Sequence, residues 1–137
     1  MPSGSNSPPT HPGTTFLGLR TAIYHAPDIT KTKAWYCEVL GMQPYFDQPF
    51  YVGFNVGGFE LGLDPDATVA SSEPGGVIVY WGVADASAEV NRLLRLGATR
   101  HKDVQDVGDG IKVASVLDPF GNILGVIENP HFALTSL

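Results

Sequence analysis

The chain has 137 residues, 43% hydrophobic and 16% charged, which is enough for one domain with a buried core and too short for two. Eight Lys and Arg against 14 Asp and Glu give a formal charge of -6, so we expect neither nucleic acid nor an anionic membrane as a partner. The single cysteine excludes an intrachain disulfide and fits a cytoplasmic protein. No apolar run approaches the roughly 20 residues of a membrane helix.

The N-terminal stretch predicts a disordered leader over residues 1–15. It contains four Pro, three Ser and three Thr, and no Lys or Arg. It therefore lacks the basic start and the apolar centre of a secretory signal. We expect one folded domain over residues 16–132, followed by a tail at 133–137.

The first predicted elements are a strand and an amphipathic helix. Residues 17–26 are apolar and β-branched, and Pro27-Asp28 ends this strand and supplies a helix N-cap. Gly41 is a C-terminal stop, so the helix is predicted over residues 29–40. One helical face carries Thr32, Trp35, Tyr36, Val39 and Leu40.

A short strand and a hairpin complete this first module, which spans residues 16–65. The strand is predicted at 44–46. The hairpin joins the alternating run 51–56 to the run 59–63 through a Gly-Gly turn. The next stretch, residues 66–76, is rich in Ser, Pro, Gly and Ala and predicts a linker.

The same order of elements returns in the second module, residues 77–130. A strand is predicted at 77–83, and Asp85 caps a helix that ends at Leu96-Gly97. Three further strands are predicted at residues 99–104, 111–117 and 123–128.

The chain is therefore predicted to hold two βαβββ modules in tandem, an α+β fold. Asp28 aligns with Asp85, and Leu40-Gly41 aligns with Leu96-Gly97. The alternative is a generic α+β domain whose halves look alike by chance. The repeated order of elements argues against that alternative.

Four motifs in this order resemble the vicinal oxygen chelate superfamily, which includes glyoxalase I, bleomycin-resistance proteins, fosfomycin-resistance enzymes and extradiol dioxygenases. They are Ala26-Pro27-Asp28, the run Trp35 to Gly41, Gly58-Phe59-Glu60-Leu61, and Asp118-Pro119-Phe120-Gly121-Asn122. The resemblance covers residues 17–130. It implies that curved mixed sheets surround a central cleft, which a second subunit of a homodimer often completes.

Metal-using members of this superfamily carry one ligand on the first and one on the last strand of each module. The corresponding positions in this chain are Thr21, Glu60, Ile78 and Gly125. Only Glu60 binds metals well, whereas catalytic metal sites generally need about three protein ligands. We therefore expect neither a metal nor another cofactor.

Glu60 is the candidate catalytic residue. In the fold that the chain resembles, its side chain points into the cleft, where desolvation would raise the pKa of the carboxyl and make it a general base. The alternative is a carboxylate on the solvent face of a strand, since Leu61 and Leu63 lie on the opposite face.

Further candidates for ligand binding share faces with these positions. His25 has the same parity as Thr21 on the first strand, and Tyr80 has the same parity as Ile78. Tyr51 and Asn55 share one face of the hairpin. The predicted ligand-binding residues are thus Thr21, His25, Tyr51, Asn55, Glu60 and Tyr80.

Four other side chains are expected to be structural or exposed. Trp81 is predicted to pack between sheet and helix, and Cys37 to be a packing residue. His101 and Lys102 are expected to be exposed on an edge strand, where charge prevents further strand pairing.

The sequence favours a protein that binds a small organic molecule in a metal-free apolar cleft, as in the bleomycin-resistance branch. A lyase or isomerase that uses Glu60 as base, with His25 or Tyr80 as partner, is the alternative. Metal-dependent glyoxalase or dioxygenase chemistry ranks last because the expected ligands are missing.

Overall fold

The computed structural model describes residues 15, 17, 19–67 and 78–132. Three sequence predictions therefore lie mostly or entirely outside the described residues. They are the leader at 1–15, the linker at 66–76 and the tail at 133–137. The first residue of the predicted strand 77–83 also lies outside them.

Ten helices and strands in two βαβββ modules make up the described part of the chain. Module one consists of β1 (Thr21–His25), α1 (Ile29–Leu40), β2 (Phe46–Gln48), β3 (Tyr51–Val56) and β4 (Phe59–Asp64). Module two consists of β5 (Tyr80–Gly82), α2 (Ala86–Arg95), β6 (Thr99–Gly108), β7 (Ile111–Leu117) and β8 (Ile123–Glu128). The predicted duplication is confirmed.

Each module folds its four strands into one mixed sheet. The strand order is β1-β4-β3-β2 in the first sheet and β5-β8-β7-β6 in the second. β1 pairs with β4 and β5 with β8 in parallel, while the other pairs are antiparallel. This arrangement confirms the α+β fold class predicted from the sequence.

The two helices begin at the predicted caps. The Asp28 side chain accepts a hydrogen bond from the Lys31 amide, and the Asp85 side chain accepts one from the Ala88 amide. α1 ends at Gly41, whose φ of 66° is the left-handed conformation that favours glycine. Neither described helix is long and apolar enough to cross a membrane.

One hydrophobic core runs through both modules, between the helices and one face of each sheet. Its largest fully buried side chains include Tyr36, Phe54, Leu61, Leu63 and Leu93. Because strand residues alternate, the residues between these buried positions lie on the opposite side. We call this side, which neither helix covers, the helix-free face.

The modules are joined by polar bonds from the turn before β8. The Tyr36 hydroxyl donates to the buried Asp118 carboxylate at 2.7 Å. The Asn122 side chain then accepts from the His25 amide at 2.9 Å and donates to the His25 carbonyl at 2.8 Å. A side chain of module two thereby satisfies both backbone groups of a residue on β1, the edge of the first sheet.

Five strands differ from their predicted bounds, and β4 does so by one residue, since it ends at Asp64 rather than at residue 63. β1 begins at Thr21 rather than at residue 17, and β2 spans 46–48 rather than 44–46. β5 spans Tyr80–Gly82 rather than residues 77–83. β6 extends to Gly108 rather than to residue 104, because register shifts let it follow β7 along its whole length.

Candidate functional site

The helix-free face of module one brings together five of the six predicted ligand-binding residues. Thr21 and Asn55 are both direct strand partners of Glu60, one on each side of β4. His25 and Tyr51 have the same parity as these residues on their strands. The neighbours that alternate with them, such as Leu61, are buried in the core.

Two tyrosine hydroxyls converge on the Glu60 carboxylate. Tyr51 donates to Oε1 at 3.1 Å, and Tyr45 donates to Oε2. The Thr21 hydroxyl lies 3.4 Å from the Tyr51 hydroxyl and extends the network to β1. A depression of about 270 Å³, bordered by Arg20, opens beside Tyr45 and Glu60.

This network holds Glu60 in its charged form. Hydrogen bonding from Tyr45 is the largest cause that lowers the pKa of the Glu60 carboxyl, with smaller contributions from Thr21 and Tyr51. Partial burial opposes this shift but does not reverse it. The expectation that desolvation raises the pKa was therefore wrong, because the partly exposed carboxylate is stabilised by hydroxyl donors.

Tyr45 and Tyr51 remain protonated donors at neutral pH. The pKa of Tyr45 is raised, first by its hydrogen bond to Glu60, and the pKa of Tyr51 is raised, first by partial burial. Sequence reasoning missed Tyr45, which precedes β2 and is 65% exposed. The available signal was Gly53, since a strand residue without a side chain often marks a close approach.

Two glycines make room for the tyrosines on the sheet. A Cβ at position 53 would lie 2.7 Å from Glu60 Oε2 and 3.2 Å from Tyr45 Cε1. A Cβ at position 62 would overlap with the Tyr51 hydroxyl. The sheet floor under the carboxylate is thus bare backbone, and the tyrosine rings lie directly on it.

His25 is oriented by the backbone that follows β4. Its Nδ1 bonds to the Ala67 carbonyl oxygen, which only accepts, so Nδ1 carries the proton. In the neutral imidazole, Nε2 is then the hydrogen-bond acceptor. The Asp28 carboxylate, three residues later, caps α1.

Asn55 uses its side chain for the hairpin. Its Oδ1 accepts from the Gly58 amide at 2.8 Å in the β3–β4 turn. Asn55 also borders the depression beside Glu60. It therefore shapes the rim of this site through the turn that it stabilises.

The sixth predicted residue, Tyr80, lies on the helix-free face of module two. It is 40% exposed and pairs with Gly125 on β8. Its neighbour Trp81 packs against the core and donates from its ring to the Tyr24 hydroxyl at 2.9 Å, as predicted for that side chain. Tyr80 is thus separated from the Glu60 network by the boundary between the two sheets.

His101 is not a fully exposed edge residue, contrary to the sequence interpretation. It is half-buried, and its Nδ1 lies 2.8 Å from the hydroxyl of Ser115, which is 2% exposed. Ser115 alternates with the core residues Ala114 and Val116, so the pair lies on the helix-free face. A register shift in β6 between Arg100 and Lys102 accounts for the missed orientation.

The residues at the superfamily's metal positions do not fit a metal ion. Thr21 offers a neutral hydroxyl, Glu60 is the one good metal ligand among the four positions, and Ile78 and Gly125 offer no side-chain donor. A Cβ at position 125 would lie 2.6 Å from the Val79 carbonyl oxygen, so no ligand side chain fits there either. In the part of the chain that the structure describes, no three His, Cys, Asp or Glu side chains form a metal-binding group.

Comparison with solved structures finds the same fold in several proteins. A glyoxalase-related enzyme from Fulvimarina pelagi is 20% identical, with a TM-score of 0.65 over 84% of this chain and 90% of that chain. Lactoylglutathione lyase from Agrobacterium tumefaciens is 20% identical, with a TM-score of 0.63 over 85% and 98%. A glyoxalase/bleomycin resistance protein from Catenulispora acidiphila is 21% identical, with a TM-score of 0.59 over 82% and 100%.

A family model also matches most of the sequence. It describes the Glyoxalase/Bleomycin resistance protein/Dioxygenase superfamily and matches residues 18–126, which include both modules. A comparison with curated proteins finds no match. The chain belongs to the Glyoxalase/Bleomycin resistance protein/Dioxygenase superfamily.

Proposed function

We propose that this protein binds a small organic molecule on the helix-free face, with Glu60 as the charged anchor. The observation that carries this proposal is the Glu60 carboxylate, which hydroxyl donors keep ionised on a partly exposed surface. Each carboxylate oxygen has two acceptor sites, and one on each is used by a tyrosine. The remaining sites suit an N–H, an O–H or a cationic group of a ligand.

Apolar side chains beside this anchor favour binding of an organic molecule rather than a simple ion. Ile23 on β1 is 49% exposed on the same face, and the Tyr45 ring is 65% exposed. Large exposed apolar side chains near a few polar groups are typical of ligand sites. Binding that only sequesters a ligand needs neither a catalytic group nor a metal ion. This function therefore suits a chain whose described residues do not fit a metal ion at the superfamily's metal positions.

Native mass spectrometry of the purified protein, followed by ligand-observed NMR of any released molecule, tests this proposal. We expect a bound organic molecule, and we expect Glu60→Gln to weaken its binding roughly ten- to hundredfold, the scale of one charge-assisted hydrogen bond. The matched control is Asp103→Asn, an exposed carboxylate on β6 that pairs with Arg100. Equal affinity of the Glu60→Gln variant and the wild type would contradict the role of Glu60.

A lyase or isomerase is the second candidate, and the orientation of His25 favours it. A backbone carbonyl fixes the proton on Nδ1 and leaves Nε2 as a proton acceptor on the helix-free face. Glu60 is a weaker base than expected, since general-base efficiency falls with the pKa of the base. Turnover of the co-purified molecule that is lost in His25→Gln would support this candidate, and turnover lost only in Glu60→Gln would return the role of base to the carboxylate.

We propose a homodimer as the assembly in the cytoplasm. Phe50 and Tyr45, at the open edge of the first sheet, are each 65% exposed, and Phe46 between them is 39% exposed. Such a patch favours association, and two-fold dimers are the commonest oligomers. Light scattering that gives the monomer mass would overturn the dimer, and a signal for export found upstream would overturn the location.

A further inference from the structure

A cavity lies where the two helices pack against the sheets at the boundary between the modules. α1 contributes Tyr36, Val39 and Leu40 to its wall, and α2 contributes Glu89 and Leu93. The volume of this cavity is about 120 Å³. We call it the inter-helix cavity.

The inter-helix cavity lies on the side of the sheets opposite to the helix-free face. Leu61 on β4 and Leu124 on β8 line it and are both buried in the core. Their chain neighbours Glu60 and Gly125 belong to the helix-free face, because strand side chains alternate. A molecule in the inter-helix cavity would therefore not touch the ligand surface proposed above.

The two aromatic side chains of the wall have their polar atoms bonded outside the cavity. The Tyr36 hydroxyl donates to the Asp118 carboxylate at 2.7 Å, and Trp81 Nε1 donates to the Tyr24 hydroxyl at 2.9 Å. Among the residues that the structure describes, no buried side-chain N or O atom lacks a hydrogen-bond partner. A buried water needs two to four polar partners, so this wall favours an apolar occupant over water.

The charged side chain of the wall, Glu89, is also paired. Arg92 Nη1 donates to the Glu89 carboxylate at 2.7 Å, and Arg92 Nη2 donates to the Val39 carbonyl at 2.7 Å. Glu89 and Val39 both line the inter-helix cavity, so Arg92 connects α2 to α1 at its border. The charge of Glu89 is thereby compensated by a residue outside the wall.

We propose that the inter-helix cavity is a binding site for one small neutral apolar molecule of about the size of benzene. An apolar cavity of about 150 Å³ in another protein binds benzene or xenon, so the volume here is of the right scale. Val56 and Val83 in the wall are only half-buried, which leaves the cavity accessible from the surface. This inference goes beyond the proposed function and does not depend on it.

The test uses benzene as the probe and 1,4-dioxane, a polar ring of similar size, as the matched control. Each is titrated into full-length protein with labelled Leu and Val methyl groups. We expect benzene to shift the methyl resonances of Leu61, Leu93 and Leu124 with a Kd of roughly 0.1–1 mM, which is plausible for six non-hydrogen atoms. Dioxane should bind roughly tenfold more weakly, because its oxygens lose water and find no donor. Leu19, which is 59% exposed, should not shift.

Variants with longer side chains in the wall test the location of the site. Val56→Ile and Val83→Ile each add one methyl group at a half-buried wall position and are measured singly and together. We expect the double variant to bind benzene roughly five- to hundredfold more weakly, the cost of overpacking expressed as a ratio. The matched control is Val107→Ile, at a position that is 56% exposed on β6, which should bind benzene as the wild type does.

Two results would overturn the proposal. One is equal binding of benzene and dioxane to the wild type. The other is unchanged benzene affinity in both single variants and in the double variant, with urea midpoints that show each of them to be folded.

Glu60→Gln distinguishes the inter-helix cavity from the proposed function. We expect benzene to bind this variant as it binds the wild type, since the carboxylate lies on the opposite side of the sheet. Loss of the co-purified ligand together with unchanged benzene binding supports both proposals. Failure of benzene to shift the methyl resonances of the wall overturns the cavity site alone and leaves the role of Glu60 to its own measurement.

Discussion

The Tyr51 hydroxyl occupies the space that a side chain at position 62 would need. This contact places the hydroxyl beside Glu60 and depends on the absence of a Cβ at Gly62. Gly62→Ala should therefore displace Tyr51 and remove its hydrogen bond to the carboxylate. We expect a loss of about 1–3 kcal/mol in the free energy of unfolding, the usual cost of overpacking, measured by urea denaturation.

Gly82→Ala is the matched control for this substitution. Gly82 also lies on a strand of the described structure, but a Cβ there would meet nothing within 4 Å. Its substitution should change the stability by less than about 0.5 kcal/mol. Similar losses of unfolding free energy in the two variants would contradict this prediction. They would mean that Tyr51 does not require a glycine at position 62.

Tyr45 should control the pKa of Glu60. Its hydrogen bond is the largest cause of the lowered pKa, so Tyr45→Phe should raise the pKa of the Glu60 carboxyl toward its ordinary value of about 4.3. Carbon-detected NMR titration of the glutamate carboxyls measures this directly. An unchanged pKa in the variant would mean that the tyrosine does not stabilise the charged form.

The hydrogen bond from Tyr45 to Glu60 should make the free energy of unfolding depend on pH in the acid range. Because the pKa of Glu60 is lower in the folded state, its contribution is present above the unfolded-state pKa and is lost as the pH falls through the folded-state pKa. The stability difference between wild type and Tyr45→Phe should thus be largest near neutral pH and shrink in acid. A difference that grows in acid would contradict the assigned direction.

The Tyr36 hydroxyl should be important for the joint between the modules. It is fully buried and donates to the Asp118 carboxylate, and burial raises its pKa well above the ordinary value, so it remains a donor. Tyr36→Phe should cost about 1.5–3 kcal/mol, the range for hydrogen bonds to charged groups. Tyr80→Phe, at a 40% exposed position, is the control and should cost less than about 0.5 kcal/mol in urea denaturation.

Divalent metals should not stabilise the protein. Since the metal positions of the superfamily offer Glu60 and Thr21 but nothing at Ile78 and Gly125, we expect the same melting temperature with EDTA, Mn²⁺, Ni²⁺ or Zn²⁺. Elemental analysis of the purified protein should find well under one ion per chain. About one bound ion per chain, with a melting temperature that falls in EDTA, would contradict this prediction.

The fold was readable from the sequence because its signals are local. α1, β3, β7 and β8 have the predicted bounds, since caps, turn glycines and alternation act within a few residues. The α2 cap at Asp85 was equally clear. Where a strand end depends on its neighbour, as in β6 along β7, the sequence gives no local signal, and the predicted end was four residues short.

The chemistry of the site was less predictable, because it depends on contacts between strands. The grouping of Thr21, Tyr51 and Glu60 on one face follows from parity and was predicted. The direction of the Glu60 pKa shift was not, because Tyr45 reaches the carboxylate from the start of another strand. The orientation of His101 was missed for a related reason, since a register shift reverses the simple alternation in β6.

The side chain of Asn122 completes the backbone hydrogen bonds of His25. An edge strand of the first sheet is therefore hydrogen-bonded by a side chain of module two. A duplicated ancestor whose halves once stood alone would have left that edge to water or to a second copy. Because the two modules also share one hydrophobic core, we expect each to need the other in order to fold. Cutting the chain between them should yield two fragments that fold together when mixed and remain unfolded apart.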